Sequence, residues 1–511
     1  MAKECLDGWI REKRTGGCLE TGTGPDGKGS SQENHMRECL EDGGMDGAGS
    51  RTENDRKDGT EGSRKNSLTE GTIWKKLLFF ALPIFLGQVF QQLYNTFDSL
   101  IVGKFLGDQA LAAVSSSGSL IFMLVGFFQG VAMGAGVIIA KEYGAKNEKA
   151  MRLAIHTDVA FGLVAGGILT ILGVGMTPTI LRWMNTPADV LPQSIEYFRF
   201  YFCGIIFTVL YNIFVGILQA VGDSRHPLYY LIFSSLVNVT LDLVLVGGFH
   251  LGVGAAALAT TISQGLSALL CMLQLLRSRD SYRLNLREVS FHRESLGKIV
   301  RFGLPSGVQN SVIALANLVV QTNINAFGQF AMAGCGAYAK VEGFAFLPIT
   351  CFSMALSTFV GQNLGARQYG RVKKGVRFGI LCSISVAELV GIVFWLLAPT
   401  LIGLFSSSQE VLAFGVRQAR VESLFYCLLA LSHCIAGIMR GAGKATVPMF
   451  TMLGCWCLVR VTYITLVLHF YPRIEVVFSA YPLTWSLSSI VFLLYFFKAD
   501  WIHSFDRLER G

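Results

Sequence analysis

Most of the chain consists of long apolar runs separated by short polar stretches. Between residue 72 and about residue 498 this pattern predicts twelve apolar segments, each long enough to cross a bilayer. The runs are continuous and lack the ten-residue alternation of membrane β-strands, so helices are expected. Their approximate bounds are 73–102, 110–140, 153–176, 194–220, 228–248, 252–276, 299–327, 332–361, 374–402, 417–441, 446–470 and 477–497.

The first segment carries a stripe of polar side chains at helical i, i+3 and i+4 spacing, which places them on one face. They are Gln88, Gln91, Gln92, Asn95 and Asp98. A carboxylate in hydrocarbon costs at least about 2.5–3.5 kcal/mol on insertion scales, unless it faces a protein interior, a wet cavity or a bound cation. Asp98 is therefore the first candidate functional residue. In the alternative interpretation, it caps or snorkels at the far end of the helix.

The composition indicates a multi-pass protein of the cell membrane, because 52% of the residues are hydrophobic and only 15% are charged. Basic side chains concentrate in alternate loops, and the positive-inside rule then places both termini in the cytoplasm. The net charge of +8 follows from this topology and requires no nucleic-acid partner. Three of the twelve cysteines lie in the N-terminal tail and the others in or beside apolar segments, so no disulfide framework is expected.

The chain repeats itself at an offset near 221 residues. Gly144-Ala-Lys-Asn returns as Gly365-Ala-Arg-Gln, and Pro227 returns as Pro448. Each copy holds six segments, an even number, so the copies share one orientation and enclose a cavity around an axis along the membrane normal. The prediction is an all-α integral membrane protein with twelve transmembrane helices in two pseudo-symmetric six-helix lobes.

The same pattern divides the chain into five parts. Residues 1–71 are polar and glycine-rich, which predicts a disordered cytoplasmic N-terminal tail without an assigned function. The N-lobe then spans 72–276, a cytoplasmic linker 277–298, the C-lobe 299–498 and a cytoplasmic C-terminal tail 499–511.

The N-lobe holds intramembrane acids that the C-lobe lacks at equivalent positions. Asn238 and Asp242 lie four residues apart and so share a face of the fifth helix. At about 1.5 Å per residue, Asp98, Asp242 and Thr260 all fall in the outer half of the membrane, on three helices. Two carboxylates with an amide and a hydroxyl can bind a hard cation, or two close carboxylates can carry a proton. Three unrelated, satisfied polar groups are the remaining alternative.

These residues also carry a resemblance to the multidrug and toxic compound extrusion (MATE) family, which covers roughly residues 72–498. It rests on Tyr94-Asn-x-x-Asp98, Gly126-x-x-x-Gly130-Val-Ala-Met-Gly134, Gly361-Gln-Asn-Leu-Gly365-Ala366 and Asn238-x-x-x-Asp242. The resemblance implies a V-shaped pair of six-helix bundles that exports small organic, often cationic, compounds in exchange for inward Na⁺ or H⁺. It implies a monomer in the lipid bilayer, with no cofactor beyond the coupling ion. The glycine runs most simply allow close helix packing.

By matching position, Asp98 resembles the first-helix acid of the family, Asn238 and Asp242 its fifth-helix pair, and Thr260 its sixth-helix hydroxyl; these four residues would hold the Na⁺ or the proton. The surrounding substrate network is assigned to Gln91, Tyr94, Asn95 and Asn212. One branch of the family places acids in the seventh and tenth helices. Here those segments offer only Glu422, which the apolar pattern places near a helix start, so coupling through the C-lobe is not expected.

The leading function is therefore secondary active antiport rather than enzymatic catalysis. The first alternative is a lipid-linked oligosaccharide flippase of the same broad superfamily, in which Arg440 or Arg460 would hold pyrophosphate. A membrane-embedded enzyme is disfavoured because no metal-spaced histidine cluster and no Ser/His/Asp set stands out. A non-transporting receptor is disfavoured by the repeated halves. The sequence assigns no role to Glu342, Glu388 or Arg460.

Overall fold

The structure, a computed structural model, describes residues 67–183 and 186–510. The tail predicted over residues 1–66 lies outside the described residues. Where the chain is described, it is helical and contains no strand. Eleven of the described helices are each long and apolar enough to cross a membrane, and a pair bent by 46° forms a twelfth span. The predicted twelve-helix architecture is confirmed.

We number the spans in chain order. Spans 1 to 6 are Ile73–Leu106, Asp108–Gly144, Glu148–Trp183, the bent pair Leu191–Cys203 and Ile205–Ala220, Arg225–Asp242 continuing into a π-helix at Leu243–Gly248, and Val253–Arg277. Spans 7 to 9 are Arg293–Asn325, Gln329–Gly365 and Tyr369–Gly403. Spans 10 to 12 are Gln409–Glu422 with Tyr426–Gly441, Thr446–Met452 continuing through a π-helix at Leu453–Val459 into Arg460–Phe470, and Ile474–Lys498. Short helices at Leu286–Glu288, Ser423–Phe425 and Ser504–Arg510 complete the set.

The two largest hydrophobic cores correspond to the two lobes, and two smaller clusters lie within the C-lobe. One helix from each lobe reaches into the large core of the other. Leu77 and Phe80 of span 1 belong to the C-lobe core, whereas Ile299 and Phe302 of span 7 belong to the N-lobe core. A proline, Pro83 or Pro305, follows soon after in each helix. Proline removes a helix hydrogen bond and favours bending. The repeated Leu-Pro motif therefore marks the place where a span leaves one lobe for the other.

Spans 2 and 7 join the lobes along a glycine seam. A Cβ atom added to Gly134 would collide with the backbone of Gly303, and one added to Gly130 would lie 2.6 Å from the backbone of Ser306. Asn310 of span 7 donates its side-chain amide to the carbonyl of Gly126 at 3.0 Å. Residues without side chains let two helix backbones touch. The interpretation of the glycine run as a packing surface is confirmed.

The lobes also meet at the end of the bundle that carries the basic loops, which we call the basic end. Here spans 2 and 8 touch, because a Cβ atom on Gly144 would collide with Gln362, and one on Gly365 would collide with Lys141. The buried Gln362 side chain donates a hydrogen bond to the carbonyl of Ala220 at 2.7 Å. This amide links the C-lobe to span 4 of the N-lobe and closes the basic end.

Residues 67–71, which composition places in the tail, pack against this closure. Leu68 is only 1% exposed, and its backbone N–H donates to the Gln362 side chain at 2.9 Å. Arg371 donates to the carbonyls of Leu68, Glu70 and Gly71 at 2.7–3.2 Å. A segment that precedes the N-lobe is thereby fastened to the C-lobe. We call residues 67–71 the strap.

The start of the C-terminal tail lies at the same end. Trp501 and Phe505 are buried, and Ser504 donates its hydroxyl to the carbonyl of Ala442 at 2.5 Å. The Phe505 ring lies 5.3 Å from the ammonium of Lys141 in span 2. The tail therefore contacts both lobes at the basic end.

Candidate functional site

Three polar residues meet inside the N-lobe, on spans 1 and 5. Asp242 and Asn238 are fully buried, and Asp98 is half-buried. The carboxyl groups of Asp98 and Asp242 are close enough to interact directly with each other. We call these two residues the N-lobe acid pair. A π-helical turn begins at Leu243, directly after Asp242, and such turns are frequently found at functional sites.

Several polar atoms of the N-lobe acid pair and of Asn238 are unsatisfied. Within the described part of the chain, five buried atoms have no hydrogen bond: Oδ1 of Asp98, both side-chain polar atoms of Asn238 and both carboxylate oxygens of Asp242. Among the described residues, no lysine or arginine acts on either carboxylate. Buried polar groups in folded proteins are almost always satisfied, and an uncompensated buried carboxylate is costly. The arrangement therefore suits a positively charged ligand that uses oxygen donors, either a hard cation or a proton.

Tyrosine and amide side chains surround the pair. Gln264 of span 6 donates to the hydroxyl of Tyr94 at 3.3 Å, and Tyr94 lies one helical turn before Asp98. Tyr197 and Tyr201 of span 4 stack with ring centroids 6.4 Å apart, and Tyr197 interacts electrostatically with both acids. Sequence reasoning missed both span 4 tyrosines and Gln264. Two features of the sequence could have identified them: the tyrosines are four residues apart, and Gln264 lies one helical turn after Thr260.

The other predicted site residues lie in different surroundings. Thr260 is half-buried and donates its hydroxyl to the carbonyl of Ala256 at 3.1 Å, within its own helix. Gln91 is half-buried, whereas Asn95 is exposed. Asn212 donates its amide to the carbonyl of Thr208 at 2.8 Å. Asp98 thus interacts with both Asp242 and Tyr94, and Asn238 lies one turn before Asp242 on the same helix.

Asn212 lines a cavity of about 60 Å³ between the lobes. Besides Asn212, its polar lining consists of the amides of Gln129 and Gln219 and the hydroxyls of Ser357 and Thr358, and no charged side chain lines it. A water molecule occupies about 30 Å³ of liquid, so this space holds roughly two waters. The cavity is too small for an organic compound in this conformation, which agrees with a closed basic end.

A second acid pair lies in the C-lobe, where none was expected. Span 10 begins at Gln409, so the expectation that Glu422 lies near a helix start is wrong; Glu422 is fully buried inside the span. It interacts with Glu342 of span 8, and the buried Arg460 of span 11 acts electrostatically on both. The polar residues between Gln409 and Glu422 shorten the apolar run, and this shifted the predicted start of the helix.

Arg460 is held in place by neutral neighbours. It donates to the hydroxyl of Thr484 at 2.8 Å and lies 4.3 Å from the centre of the Tyr481 ring. The C-lobe acid pair, Glu342 and Glu422, therefore has a positive charge within the protein, whereas the N-lobe acid pair has none among the described residues. Glu388 accepts a hydrogen bond from the backbone N–H of Cys427 at 3.3 Å.

A family model and the sequences of known proteins both assign this chain to the same family. The MatE family model matches residues 83–244 and 305–465, one match in each lobe. The probable multidrug resistance protein YoeA of Bacillus subtilis (strain 168) is 29% identical over 435 residues, which cover 83% of this chain and 94% of that protein. The probable multidrug resistance protein NorM of Thermotoga maritima is 27% identical over 389 residues, which cover 75% of this chain and 83% of that protein.

Solved structures agree with the observed fold. An outward-facing structure of a multidrug resistance MATE family transporter of the MOP superfamily matches with a TM-score of 0.79 at 23% sequence identity. The match covers 84% of this chain and 96% of that chain. At this identity the likeness concerns the fold alone.

Proposed function

The chain belongs to the MatE family of efflux transporters, and we propose that it is a secondary active antiporter. It exports small organic compounds, often cationic, in exchange for Na⁺ or H⁺ that enters the cell. The observation that carries the proposal is the N-lobe acid pair, whose buried oxygens lack both hydrogen bonds and an internal positive charge among the described residues.

An ion bound at this pair would balance the negative charge of Asp98 and Asp242. A ligand shifts a conformational equilibrium only by binding one state more tightly than the other. Asp98 and Asp242 lie on different spans, so an ion between them changes how spans 1 and 5 pack. Asn238 and Thr260 are proposed as the neutral oxygen donors, and Tyr94, Gln91, Asn95 and Asn212 as the surrounding polar network.

Coupling is assigned to the N-lobe rather than to the C-lobe acid pair. Arg460 already balances part of the negative charge of Glu342 and Glu422. An added cation there would compete with a fixed guanidinium, whereas at Asp98 and Asp242 it meets no such competitor among the described residues.

The basic end is proposed to face the cytoplasm, with both termini there, because basic loops are retained on that side of the cell membrane. In this orientation the contacts between spans 2, 4 and 8 hold the lobes together on the cytoplasmic side. The compound would load when the lobes separate at the basic end. The protein is proposed to work as a monomer.

The flippase alternative requires cationic side chains that face an open cavity. Arg440 is buried and donates to the hydroxyl of Ser353 at 3.0 Å, and Arg460 is buried against Thr484. Neither guanidinium is available to a pyrophosphate group in this conformation. We therefore do not adopt this alternative.

The test uses purified protein in liposomes and a fluorescent cationic dye, with a Na⁺ gradient and a pH gradient imposed separately. We expect one of the gradients to drive dye movement, and Asp98→Asn or Asp242→Asn to reduce it at least tenfold. Asp158→Asn is the matched control, because Asp158 is a buried carboxyl of span 3 that exerts no effect on the N-lobe acid pair. Full dye movement in both pair variants would refute the assignment.

A further inference from the structure

One side chain links the strap to the closure of the basic end. Gln362 is fully buried, and its amide forms hydrogen bonds in two directions. Its carbonyl oxygen accepts the backbone N–H of Leu68 in the strap at 2.9 Å, and its NH₂ group donates to the carbonyl of Ala220 in the N-lobe at 2.7 Å. A flipped amide would place donor against donor at Leu68 and acceptor against acceptor at Ala220. The strap therefore determines which end of this amide faces the N-lobe.

The carbonyl of Ala220 lies at the end of the second helix of span 4. The three carbonyls before it, those of residues 217–219, accept backbone N–H groups of the loop that follows. The last carbonyls of a helix lack intrahelical donors and need partners from elsewhere. Among the described hydrogen bonds, the Ala220 carbonyl accepts only the one from Gln362. Closure of the basic end thus satisfies a helix end of the N-lobe with a side chain of the C-lobe, and opening breaks this bond.

The strap itself is attached to the C-lobe. The side chain of Leu68 is buried in the large C-lobe core, and Arg371 of span 9 donates to three carbonyls of the strap. Leu77, near the start of span 1, lies in the same core. The strap therefore moves with the C-lobe. Its described hydrogen bonds to the rest of the chain reach the N-lobe only through Gln362.

We propose that the strap is a latch that holds the basic end closed by orienting the Gln362 amide toward the N-lobe. The inference rests on the proposed transport cycle, in which the basic end opens to load the compound. Contacts that stay within the C-lobe are the same in the closed and open states, so the latch acts through this one amide. When the strap is released, the amide can turn away from Ala220 and the closed state loses stability relative to the open state. Any event that pulls residues 67–71 away would therefore raise the population of the open state.

The test measures how often the basic end opens, by alkylation of a cysteine that the closed state buries. Ala140 of span 2 is fully buried beside Gly361. In the Ala140→Cys variant, N-ethylmaleimide should react in proportion to the open population, and mass spectrometry of the peptide that contains residue 140 measures the rate. Loss of one hydrogen bond shifts such an equilibrium by about fivefold. We expect this increase when Arg371→Ala or Gln362→Met is added.

The double variant Arg371→Ala/Gln362→Met shows whether the strap acts through the amide. If it does, residue 140 reacts no faster in the double variant than with Gln362→Met alone. Lys374→Ala is the matched control, because Lys374 is an exposed basic residue of the same span that forms no described hydrogen bond with the strap. It should leave the rate unchanged.

Two native cysteines report general loosening of the lobes in the same samples. Cys271 is buried in the N-lobe core and Cys434 in the C-lobe core, so their alkylation should stay slow in every variant. A rise at these cysteines equal to that at residue 140 would overturn the latch in favour of general destabilisation. Unchanged alkylation with Arg371→Ala would also overturn it, as would two effects that multiply in the double variant. The assay needs no gradient and no transported compound, so the latch and the antiport proposal can fail separately.

Discussion

Asp242 is a buried acid of the N-lobe whose charge no described residue compensates. Neither of its carboxylate oxygens has a hydrogen bond from a described residue, and the neighbouring acid, Asp98, carries the same sign. Asn238, one turn earlier on the same helix, is equally unsatisfied. Stability at this position therefore depends on what binds there, which is the property that a coupling site needs.

The buried acids of the C-lobe, in contrast to those of the N-lobe, have a positive charge nearby, which Arg460 supplies. Its guanidinium lies near two buried glutamates, and its removal would leave their charges uncompensated. Loss of one partner from a buried charge cluster typically costs about 3–5 kcal/mol. We expect Arg460→Met to lower the thermal midpoint of the purified protein clearly.

The control for this prediction neutralises the whole cluster. The triple variant Arg460→Met/Glu342→Gln/Glu422→Gln should recover most of the lost stability in the same thermal assay. An Arg460→Met midpoint equal to that of wild type would show that the guanidinium does not balance the C-lobe acid pair.

At the scale of helices, the contact of spans 2 and 7 depends on missing side chains. A Cβ atom on Gly134 meets backbone atoms of span 7, which cannot move aside as a flexible side chain can. Overpacking of this kind typically costs about 1–3 kcal/mol. Gly134→Ala should therefore lower the thermal midpoint in a fluorescence-detected size-exclusion assay.

Gly167→Ala provides the matched control, because this glycine also lies inside a span, yet nothing stands within 4 Å of its added Cβ atom. Alanine favours helix more than glycine by about 0.8–1.0 kcal/mol, so this variant should be neutral or more stable. If both variants changed the thermal midpoint equally, close packing of the glycine seam would not explain the destabilisation by Gly134→Ala.

The strap depends on Arg371. This side chain supplies every described hydrogen bond to the carbonyls of Glu70 and Gly71, and it shares the carbonyl of Leu68 with Asn363. Arg371→Ala should release the strap, and hydrogen exchange of the amides of residues 68–71 should become at least tenfold faster. Arg287→Ala, at an exposed arginine of the linker, should leave this exchange unchanged. Unchanged exchange in Arg371→Ala would show that burial of Leu68 alone holds the strap.

At the scale of the whole molecule, export requires the lobes to separate where they now touch. Span 2 of one lobe and span 8 of the other meet at the basic end, and a Cβ atom on Gly361 would lie 3.2 Å from the Cβ atom of Ala140. Disulfides join Cβ atoms about 3.5–4.5 Å apart, so a small adjustment permits a bond. Oxidation of Ala140→Cys/Gly361→Cys should therefore lock the basic end closed.

We expect the oxidised double variant to lose dye export in liposomes and to regain it on reduction. Each single cysteine variant, oxidised in the same way, should keep its export. Export that continues in the fully cross-linked protein would contradict a cycle in which the basic end opens.

The apolar pattern was enough to predict the membrane architecture, and helical spacing was enough to select the candidate residues of the N-lobe acid pair and Asn238. Continuous apolar runs predict membrane-spanning helices, because few other backbone structures satisfy their hydrogen bonds in a bilayer. The internal repeat predicts two lobes. Asp98, Asn238 and Asp242 stood out because polar groups inside apolar runs are costly, and their helical spacing placed them on defined faces.

Which helices are neighbours could not be read from the sequence and became clear only from the folded structure. Helical periodicity fixes the face on which a side chain lies, but not the helix that the face meets. The pairing of Glu342 with Glu422 joins residues 80 positions apart, and the strap joins Leu68 to Arg371. These contacts depend on the packing of all twelve spans together, and no local pattern in the chain encodes them.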